Sequence, residues 1–477
     1  MESQARHAYL RAFDEFLYKP AYFFLVGGLT IFANIFGAEL FTYTCFILIA
    51  LYLCLFGRDL LPIIPLAICS YITPSRANNP GHNDASVFSF ANGGLYLLIL
   101  AALLIAGIIY RLIRDEELGR SAFFKCKRKL LPGMLLLAGS YLLSGIGTEQ
   151  WSKFAGQNLL FAFIQAAAIV VLYLLLTGGV KWDEAPKAYL AWTGMCVGYV
   201  LLAEILHIYL IYDVIVDGVI LRSRIFLGWG NCNNIGALLA IMIPFPFFLT
   251  GKGKHTGIFY ISGMVFLAGV LFSCSRNSII CAVVAYLASY TISLLHSRNA
   301  RANITIHIIS ALLVLIVFLL FHDELLELFQ AVIDRGWNST RARIRGYRKG
   351  WAQFLQHPVF GGTFFPLDDS LYSWSSSEKF ISFFPPRWHN TFIQVLASCG
   401  IAGFAAYCYH RVQTFQLFFK NYSSKKLFAF VSMMTLLVTS MLDCHFFNVG
   451  PTLFYSMLLA FVEKRLDTKS DTKNPAA

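Results

Sequence analysis

Long apolar runs recur along the whole chain, and they limit its possible folds more than any other feature. Each run has about 17–25 residues, and a helix of about 20 apolar residues crosses the hydrocarbon core of a bilayer. The runs are continuous rather than alternating, which excludes the pattern of a transmembrane β-barrel. Hydrophobic residues make up 57% of the 477 residues and charged ones 13%, whereas soluble domains are about a quarter charged. We therefore predict an all-α polytopic membrane protein with about 12–14 transmembrane helices.

The apolar runs give the approximate positions of these helices. The predicted spans lie near residues 21–37, 39–56, 59–73, 93–113, 131–148, 156–177, 187–211, 231–250, 256–274, 277–296, 304–321, 388–408, 426–442 and 446–463. The third run is short. The first twenty residues are mixed polar, so the run that follows them is predicted to be a span rather than a cleavable signal peptide.

Basic residues are concentrated in the short loops on one side of the predicted spans. They include Arg6 and Arg11 near the N-terminus, the cluster 111–129, the loop 411–426 and the tail 464–477. This distribution follows the positive-inside rule, so these loops and both termini are predicted to be cytoplasmic. The formal charge of +12 is explained in the same way, and no nucleic-acid partner is predicted.

One connection is much longer than the others. It runs from His322 to Trp388, which is 388 − 322 + 1 = 67 residues, and the alternation of spans places it outside. Loops of this length in compact architectures usually serve a function or are disordered. Its aromatic, Pro and Gly residues and two helix-like stretches predict a folded helical lid. The predicted regions are N-terminal helices at 1–224, core helices at 225–321, the extracytoplasmic loop at 322–388, C-terminal helices at 389–463 and a cytoplasmic tail at 464–477.

The outer loop contains a strongly basic stretch, without any acid from Arg335 to Lys349. Ser339 or Thr340 is expected to cap a helix here. At 100° per residue, Arg343 shares a face with Tyr347, Trp351 and Phe354, and this face is expected to pack on the membrane domain. The opposite face carries Arg341, Arg345 and Arg348. That face also fits a solvated or anionic-lipid-binding surface, and Arg343 also fits a snorkelling or salt-bridged arginine.

Two further polar sites are predicted on the outer side. "FSCSRNSIIC" at 272–281 places Arg276 at a turn between two spans, where its planar fork of donors suits a phosphate. Arg387, His389 and Asn390 stand at the start of another span, and a neutral His can take a proton from a hydroxyl. A capped turn and a helix-start hydrogen bonder are the alternative interpretations of these two sites.

An ordered set of motifs resembles the O-antigen ligase and O-antigen polymerase family. The set comprises Ser275-Arg276, Arg343 with Tyr347, "HPVFGGTF" at 357–364 and "HNTFIQVLASCGIAG" at 389–403. "GWGNCNNIGALLAIMIPF" at 228–245, which contains Asn234, is similar to the Asn-rich helix entry of the family. The resemblance extends over roughly residues 225–410. It departs from the family pattern at Tyr347, where the family has Trp, and at 361–363, which read Gly-Gly-Thr.

The resemblance implies a membrane glycosyltransferase on the outer face of the bacterial cytoplasmic membrane. Its donor is a glycan on undecaprenyl diphosphate, its acceptor is a hydroxyl of a glycan, lipid or protein, and membrane lipids surround it. Neither a metal nor a cofactor is implied. Arg276 and Arg343 are expected to neutralise the leaving diphosphate, and His389 to orient or deprotonate the acceptor. The implied substrate-binding residues are Arg341, Arg345, Asn390, Arg387 and Asn234.

Two alternatives remain open at this point. A ligase attaches finished glycan to a different molecule, whereas a polymerase joins lipid-linked repeat units; the His-Asn motif favours the ligase. A glycan or anion transporter is an alternative of another class, and it would need charges at mid-bilayer depth. There the sequence has few candidates, such as Glu204 and His207, which fit a buried hydrogen bond between helices better than catalysis.

Overall fold

Helices make up nearly all of the described structure. A computed structural model describes residues 10–57, 59–74, 93–114, 128–180, 184–216, 219–227, 230–250, 256–296, 300–320, 322–323, 326, 336–365, 387–420, 422 and 426–463. The predicted tail at 464–477 and the loop residues 366–386 lie outside the described residues.

The described residues of the N-terminal part, up to Ile211, form eight helices. They are α1 (Leu10–Phe16), α2 (Pro20–Phe36), α3 (Glu39–Leu55), α4 (Ile63–Ile72), α5 (Gly94–Arg114), α6 (Leu131–Leu142), α7 (Glu149–Gly179) and α8 (Glu184–Ile211). Two short antiparallel hairpins follow, β1 (Ile215–Val216) with β2 (Val219–Ile220) and β3 (Phe226–Leu227) with β4 (Gly230–Asn231). A 3₁₀ turn, Arg222–Arg224, joins the two hairpins.

Nine further helices complete the described fold. They are α9 (Cys232–Met242), α10 (Pro244–Leu249), α11 (Thr256–Phe272), α12 (Arg276–Leu295), α13 (Ala300–Leu320), α14 (Gly336–Gln356), α15 (Thr391–Lys420), α16 (Leu427–Leu442) and α17 (Val449–Glu463). Another 3₁₀ turn, His445–Phe447, joins α16 to α17.

The apolar helices confirm the prediction of an all-α polytopic membrane protein. Six of the described helices are long and apolar enough to cross a membrane, and the bent pair of α1 and α2 would make a seventh span. Six more apolar helices have 10–17 residues. These helices overlap the predicted apolar runs, except that α1 precedes the first run and α15 extends beyond its run to Lys420. The total of 12–14 spans stays a prediction.

The bundle is built around α17, which is buried along nearly its whole length. Its last residue, Glu463, accepts hydrogen bonds from the backbone N–H groups of Lys129 (2.8 Å) and Leu130 (3.1 Å) and from the Tyr173 hydroxyl (3.2 Å). This carboxylate therefore accepts hydrogen bonds from N–H groups at the start of α6, which have no partner within the helix. It connects α6, α7 and α17 at the end of the bundle that is predicted to be cytoplasmic.

The helix α15 is broken at Gly400, where the backbone has φ 65° and ψ −162°. The ring of Phe392 lies 6.1 Å from that of Phe404 and 5.8 Å from that of Tyr407. In a continuous helix these residues would be about 18 and 22 Å apart along the axis. The first part of α15 therefore folds back on the second part, so only the part after Gly400 can cross the membrane.

This break changes the predicted position of Arg411. The sequence places it in a cytoplasmic loop after a span at 388–408, but the crossing part of α15 begins at Gly400 and continues to Lys420. Arg411 is consequently buried within the bundle. Its guanidinium carbon lies 4.6 Å from the centre of the Tyr407 ring, 4.4 Å from that of Phe446 and 4.6 Å from that of Tyr455. These ring faces stabilise the buried cation.

The described part of the loop that is predicted to lie outside forms mainly the helix α14 and a turn docked on the break in α15. The Gly362 N–H of the turn donates a hydrogen bond to the Ala397 carbonyl of α15 (2.8 Å). In the other direction, the Ile401 N–H of α15 donates to the Pro358 carbonyl of the turn (2.8 Å). The side-chain amide of Gln353, in α14, donates to the carbonyls of Thr363 (3.1 Å) and Ala397 (2.9 Å). Backbone polar groups of the turn are thus satisfied by α15 and by the lid itself.

The lid helix differs from its prediction in two details. It begins at Gly336, earlier than the expected cap at Ser339 or Thr340. Trp351 is 47% exposed instead of packing inward, because the buried face passes through Gly350, which lies against Ile393 and Trp388. Close contact at a glycine brings the two backbones together and leaves the larger Trp351 side chain at the edge.

Gly400→Ala is expected to destabilise the protein. The backbone conformation at this position costs other residues about 1–3 kcal/mol, and an added Cβ would also strike the carbonyl of Val359. The measurement is the apparent melting temperature of purified protein in detergent. Gly139→Ala in α6 is the control, because an added Cβ there meets no atom within 4 Å. Equal melting temperatures for the two variants would contradict the proposed role of Gly400.

Candidate functional site

Three residues from separate predicted motifs, Arg276, Arg343 and His389, come together in the structure. The positive charges of Arg222 and Arg343 act on Arg276. Arg343 also acts on Tyr347 one turn further along α14, and the Tyr347 hydroxyl donates to the backbone carbonyl of His389 (3.2 Å). The lid helix therefore connects the arginine at the start of α12 with the histidine that precedes α15.

His389 is paired with an acid that the sequence analysis did not identify. Its Nδ1 lies 2.9 Å from Oδ1 of Asp443, at the end of α16. The Asp443 side chain is 7% exposed, whereas that of His389 is 43% exposed. An ionised carboxylate only accepts, so Nδ1–H is the donor, and in the neutral form of this imidazole the acceptor lone pair is at Nε2.

The second oxygen of the same carboxylate is also satisfied. The Asn233 side-chain amide donates to Oδ2 of Asp443 (2.8 Å), and a guanidinium N–H of Arg222 donates to Oδ1 of Asn233 (2.9 Å). Both oxygens of Asp443 thus accept hydrogen bonds from polar side chains of other elements, which fixes the direction of the carboxylate.

The electrostatics of the site keep Asp443 ionised. Burial acts to raise the pKa of Asp443, but the hydrogen bond from His389 and the electrostatic effect of His445, His389 and Arg387 outweigh it, and the pKa is held well below its ordinary value. His445 behaves in the opposite way. Burial, partly opposed by Asp443 and reinforced by Arg387, His389 and Arg343, lowers the pKa of His445 to about 4, so its imidazole is neutral at physiological pH.

The backbone around His389 explains how its side chain is presented. His389 has φ 53°, which is uncommon for a residue other than glycine and is enriched at functional sites. Asn390 follows it and caps α15, since its Oδ1 accepts from the N–H groups of Phe392 (2.9 Å) and Ile393 (3.1 Å). The Asn390 amide also donates to the Met441 carbonyl (2.8 Å), which ties this turn to the end of α16.

The turn before α12 presents Arg276 in a similar way. Cys274 has φ 54°, and the hydroxyls of Ser275 and Ser278 are hydrogen-bonded at 2.8 Å. Arg276 is the first residue of α12 and is partly buried. The tight turn keeps the local backbone polar groups occupied and leaves the guanidinium at the end of the helix.

The predicted substrate-binding residues occupy different surroundings. Arg387 is near the pair, because its charge acts on both Asp443 and His445. Asn234 is buried, and its Oδ1 accepts from Nδ1–H of His445 (2.9 Å) and from the Asn448 amide (2.7 Å). Arg341 and Arg345 are exposed, whereas Arg343 is partly buried, which agrees with the helix-face argument.

Sequence analysis did not single out Asp443, His445, Asn233 or Arg222. A usable signal was present in "LDCHFFN" at 442–448, which contains Asp, His and Asn in a loop that is poor in Lys and Arg and is predicted to lie outside. The partners Asn233 and Arg222 lie more than 200 residues earlier than Asp443, so only the fold brings them together.

Glu204 and His207 lie apart from this site on α8. Nδ1 of His207 is 3.6 Å from Oε2 of Glu204, and Glu204 is buried. The sequence analysis expected a hydrogen bond between two helices. The two residues are instead one turn apart on the same helix, so their interaction does not connect two helices.

Residues 261–408 match the family model described as O-antigen ligase. This segment of the chain is therefore similar to the O-antigen ligase family. The matched segment has 408 − 261 + 1 = 148 residues and contains Arg276, Arg343 and His389. Arg222, Asn233 and Asp443 lie outside it. No curated protein matches the chain.

The stability of the protein is expected to fall as the pH drops from about 6.5 to 4. The unfolded His445 takes up a proton near pH 6.5, but the folded one does so only near its pKa of about 4, so the unfolded state binds more protons in this window. The loss is at most about 1.4 kcal/mol per pH unit. Asp443 adds slope only at the lower end of this window, because its depressed pKa affects stability below about pH 5.

His445→Asn should remove most of this slope, since its amide can still donate to Asn234 but does not titrate. The measurement is the apparent melting temperature in detergent at pH 7 and pH 5. His322→Gln, at an exposed position, should keep the slope of the wild-type protein. An unchanged slope in His445→Asn would show that burial of His445 is not its cause.

Proposed function

We propose that this protein is a membrane glycosyltransferase that transfers a glycan from undecaprenyl diphosphate to an acceptor hydroxyl. The family match supports an O-antigen ligase-like or polymerase function in general. The observation that supports the specific reaction is the convergence of two arginines, Arg276 and Arg343, with His389. A leaving diphosphate needs positive charge, and an attacking hydroxyl needs a base.

The arginines are suited to the leaving group. The positive charges of Arg222 and Arg343 each act against that of Arg276, so binding of a diphosphate would relieve this electrostatic cost. Donors that are already held in place towards developing negative charge can each supply roughly 3–4 kcal/mol in a water-poor site. We assign Arg276 and Arg343 to the phosphate oxygens, with Arg341, Arg345 and Arg387 as further substrate-binding residues.

His389 is assigned to the acceptor. The acceptor oxygen forms a bond with the anomeric carbon of the glycan while the bond from that carbon to the phosphate oxygen breaks. The electron pair of the broken bond leaves with undecaprenyl diphosphate, and the hydroxyl proton passes to Nε2 of His389. A single displacement of this kind inverts the configuration of the sugar.

Asp443 is assigned to His389 rather than to the substrate. Its hydrogen bond to Nδ1–H holds the imidazole with Nε2 free, and its negative charge stabilises the imidazolium that forms when the proton arrives. Two further residues were expected to bind substrate. Asn390 caps α15 and Asn234 accepts buried hydrogen bonds from His445 and Asn448. We propose that either residue can also contact the substrate.

The proposed reaction takes place on the outer side of the bacterial cytoplasmic membrane, with both termini inside. The sequence supports this orientation through its basic loops, because Lys and Arg in short loops favour the cytoplasmic side. The proposed mechanism uses side chains of the chain alone and requires neither a metal nor a cofactor.

Arg276→Ala and His389→Ala are expected to abolish release of undecaprenyl diphosphate in a purified assay with lipid-linked glycan and an acceptor. The loss should be about 10²–10³-fold for the arginine and about 10²–10⁴-fold for the histidine. Arg348→Ala is the matched control, because Arg348 lies on the exposed face of α14 and should leave the rate unchanged. Wild-type rates in the first two variants, with intact folding, would refute the assignment.

A strain that lacks this protein is expected to accumulate long glycan that is not attached to its acceptor, as a ligase predicts. Glycan chains can be separated by size and tested for attachment to the lipid carrier. Accumulation of single repeat units would instead identify a polymerase, which is the alternative activity of the family. Unchanged surface glycan with altered transport of the carrier-linked form would support the transporter.

A further inference from the structure

The orientation of the Asn233 side chain is determined by the two charged groups on either side of it. Arg222 can only donate hydrogen bonds, so it must face the amide oxygen, at 2.9 Å. The ionised Asp443 can only accept, so it must face the amide nitrogen, at 2.8 Å. Reversing the amide would place oxygen against carboxylate and nitrogen against guanidinium, which are both repulsive contacts.

The segment between α8 and α9 is built to hold this arrangement. Arg224 donates to the backbone carbonyls of Asp213 (2.7 Å) and Tyr212 (3.4 Å), which anchors the 3₁₀ turn Arg222–Arg224 to the end of α8. The side chain of Asn231 accepts from the N–H groups of Asn233 (3.0 Å) and Asn234 (3.2 Å). Both members of the Arg222–Asn233 contact are therefore fixed by their own local backbone.

A chain of hydrogen bonds connects Asn233 to the proposed base. The Asn233 amide donates to Oδ2 of Asp443, and Oδ1 of the same carboxylate accepts from Nδ1–H of His389 at 2.9 Å. A carboxylate held at both oxygens cannot rotate away from the imidazole. The ring direction and the tautomer of His389 then depend on Arg222, although Arg222 does not touch His389.

We propose that Arg222 and Asn233 are positioning residues that act through Asp443 to keep His389 in the Nδ1–H tautomer with Nε2 directed towards the acceptor. This inference rests on the proposed function, because it assumes that His389 accepts the proton. It extends the site to a segment that lies outside the 261–408 family match.

The central experiment is a double-mutant cycle of Asn233→Ala and Asp443→Ala, with kcat and KM for the lipid-linked donor as readouts. Asn233→Ala alone should lower kcat about 10- to 100-fold, because small misplacements of a catalytic group have effects of this size, and should leave KM for the donor within about twofold. In the Asp443→Ala background the same substitution should cost less than about twofold, because the path to His389 is already broken. Equal losses in both backgrounds would overturn the proposal.

Two Arg222 variants separate donation from general packing. Arg222→Gln removes the charged donor and should lower kcat in the same way as Asn233→Ala, whereas Arg222→Lys keeps a charged donor and should recover part of the loss. Arg348→Gln, on the exposed face of α14, is the control. If Asn233→Ala fails to fold, these Arg222 variants carry the test, and equal kcat values for the Lys and Gln variants would overturn the proposal.

The tautomer can also be observed without turnover. In protein with ¹⁵N-labelled histidine, the His389 signals, assigned by their absence in His389→Ala, should show a protonated Nδ1 in the wild type and a mixed population in Asn233→Ala. An identical tautomer in both proteins would contradict the proposed positioning. If His389→Ala loses activity while Asn233→Ala keeps the wild-type kcat, only the positioning role is rejected. If His389→Ala remains active, the proposed function itself is rejected.

Discussion

A buried carboxylate, that of Asp443, connects the parts of the chain that form the site. It lies at the end of α16 and accepts hydrogen bonds from His389, which precedes α15, and from Asn233 in α9. A buried charge is stable only when it is paired and hydrogen-bonded, so the fold must bring these segments to the same place. The position of His389 therefore depends on its hydrogen bond to the buried Asp443 carboxylate.

The site carries more positive charge than its own side chains neutralise. The positive charges of Arg222 and Arg343 act against that of Arg276, and the charge of Arg387 acts on Asp443. Such a concentration of like charge lowers stability in the free protein and attracts anions. A diphosphate ligand would supply the missing negative charge, which is the physical basis of the proposed function.

The lid and the break in α15 depend on one another. The turn of the outer loop approaches the Gly400 backbone so closely that no side chain fits there, and the reversal at Gly400 allows residues 391–399 to lie beside α14. The motifs in 357–364 and 389–403 were recognised from sequence. Their contact with each other was not predicted, because a continuous apolar run has the same composition whether or not it reverses direction. Arg411 was placed in a loop for the same reason.

Composition and apolar periodicity by themselves determined the membrane class and, for most spans, the helix positions to within a few residues. These properties follow from local length and hydrophobicity, which each segment carries within itself. Sequence motifs singled out Arg276, Arg343 and His389, whose roles in the site remain a proposal. Only the tertiary structure decided that α15 folds back and that Asn390 and Asn234 make internal hydrogen bonds. It also decided that hydrogen bonds connect Arg222 and Asn233 to His389 through Asp443. Hydrogen bonds between residues more than 200 positions apart leave no periodic trace in the sequence, because their geometry arises only after the helices have packed.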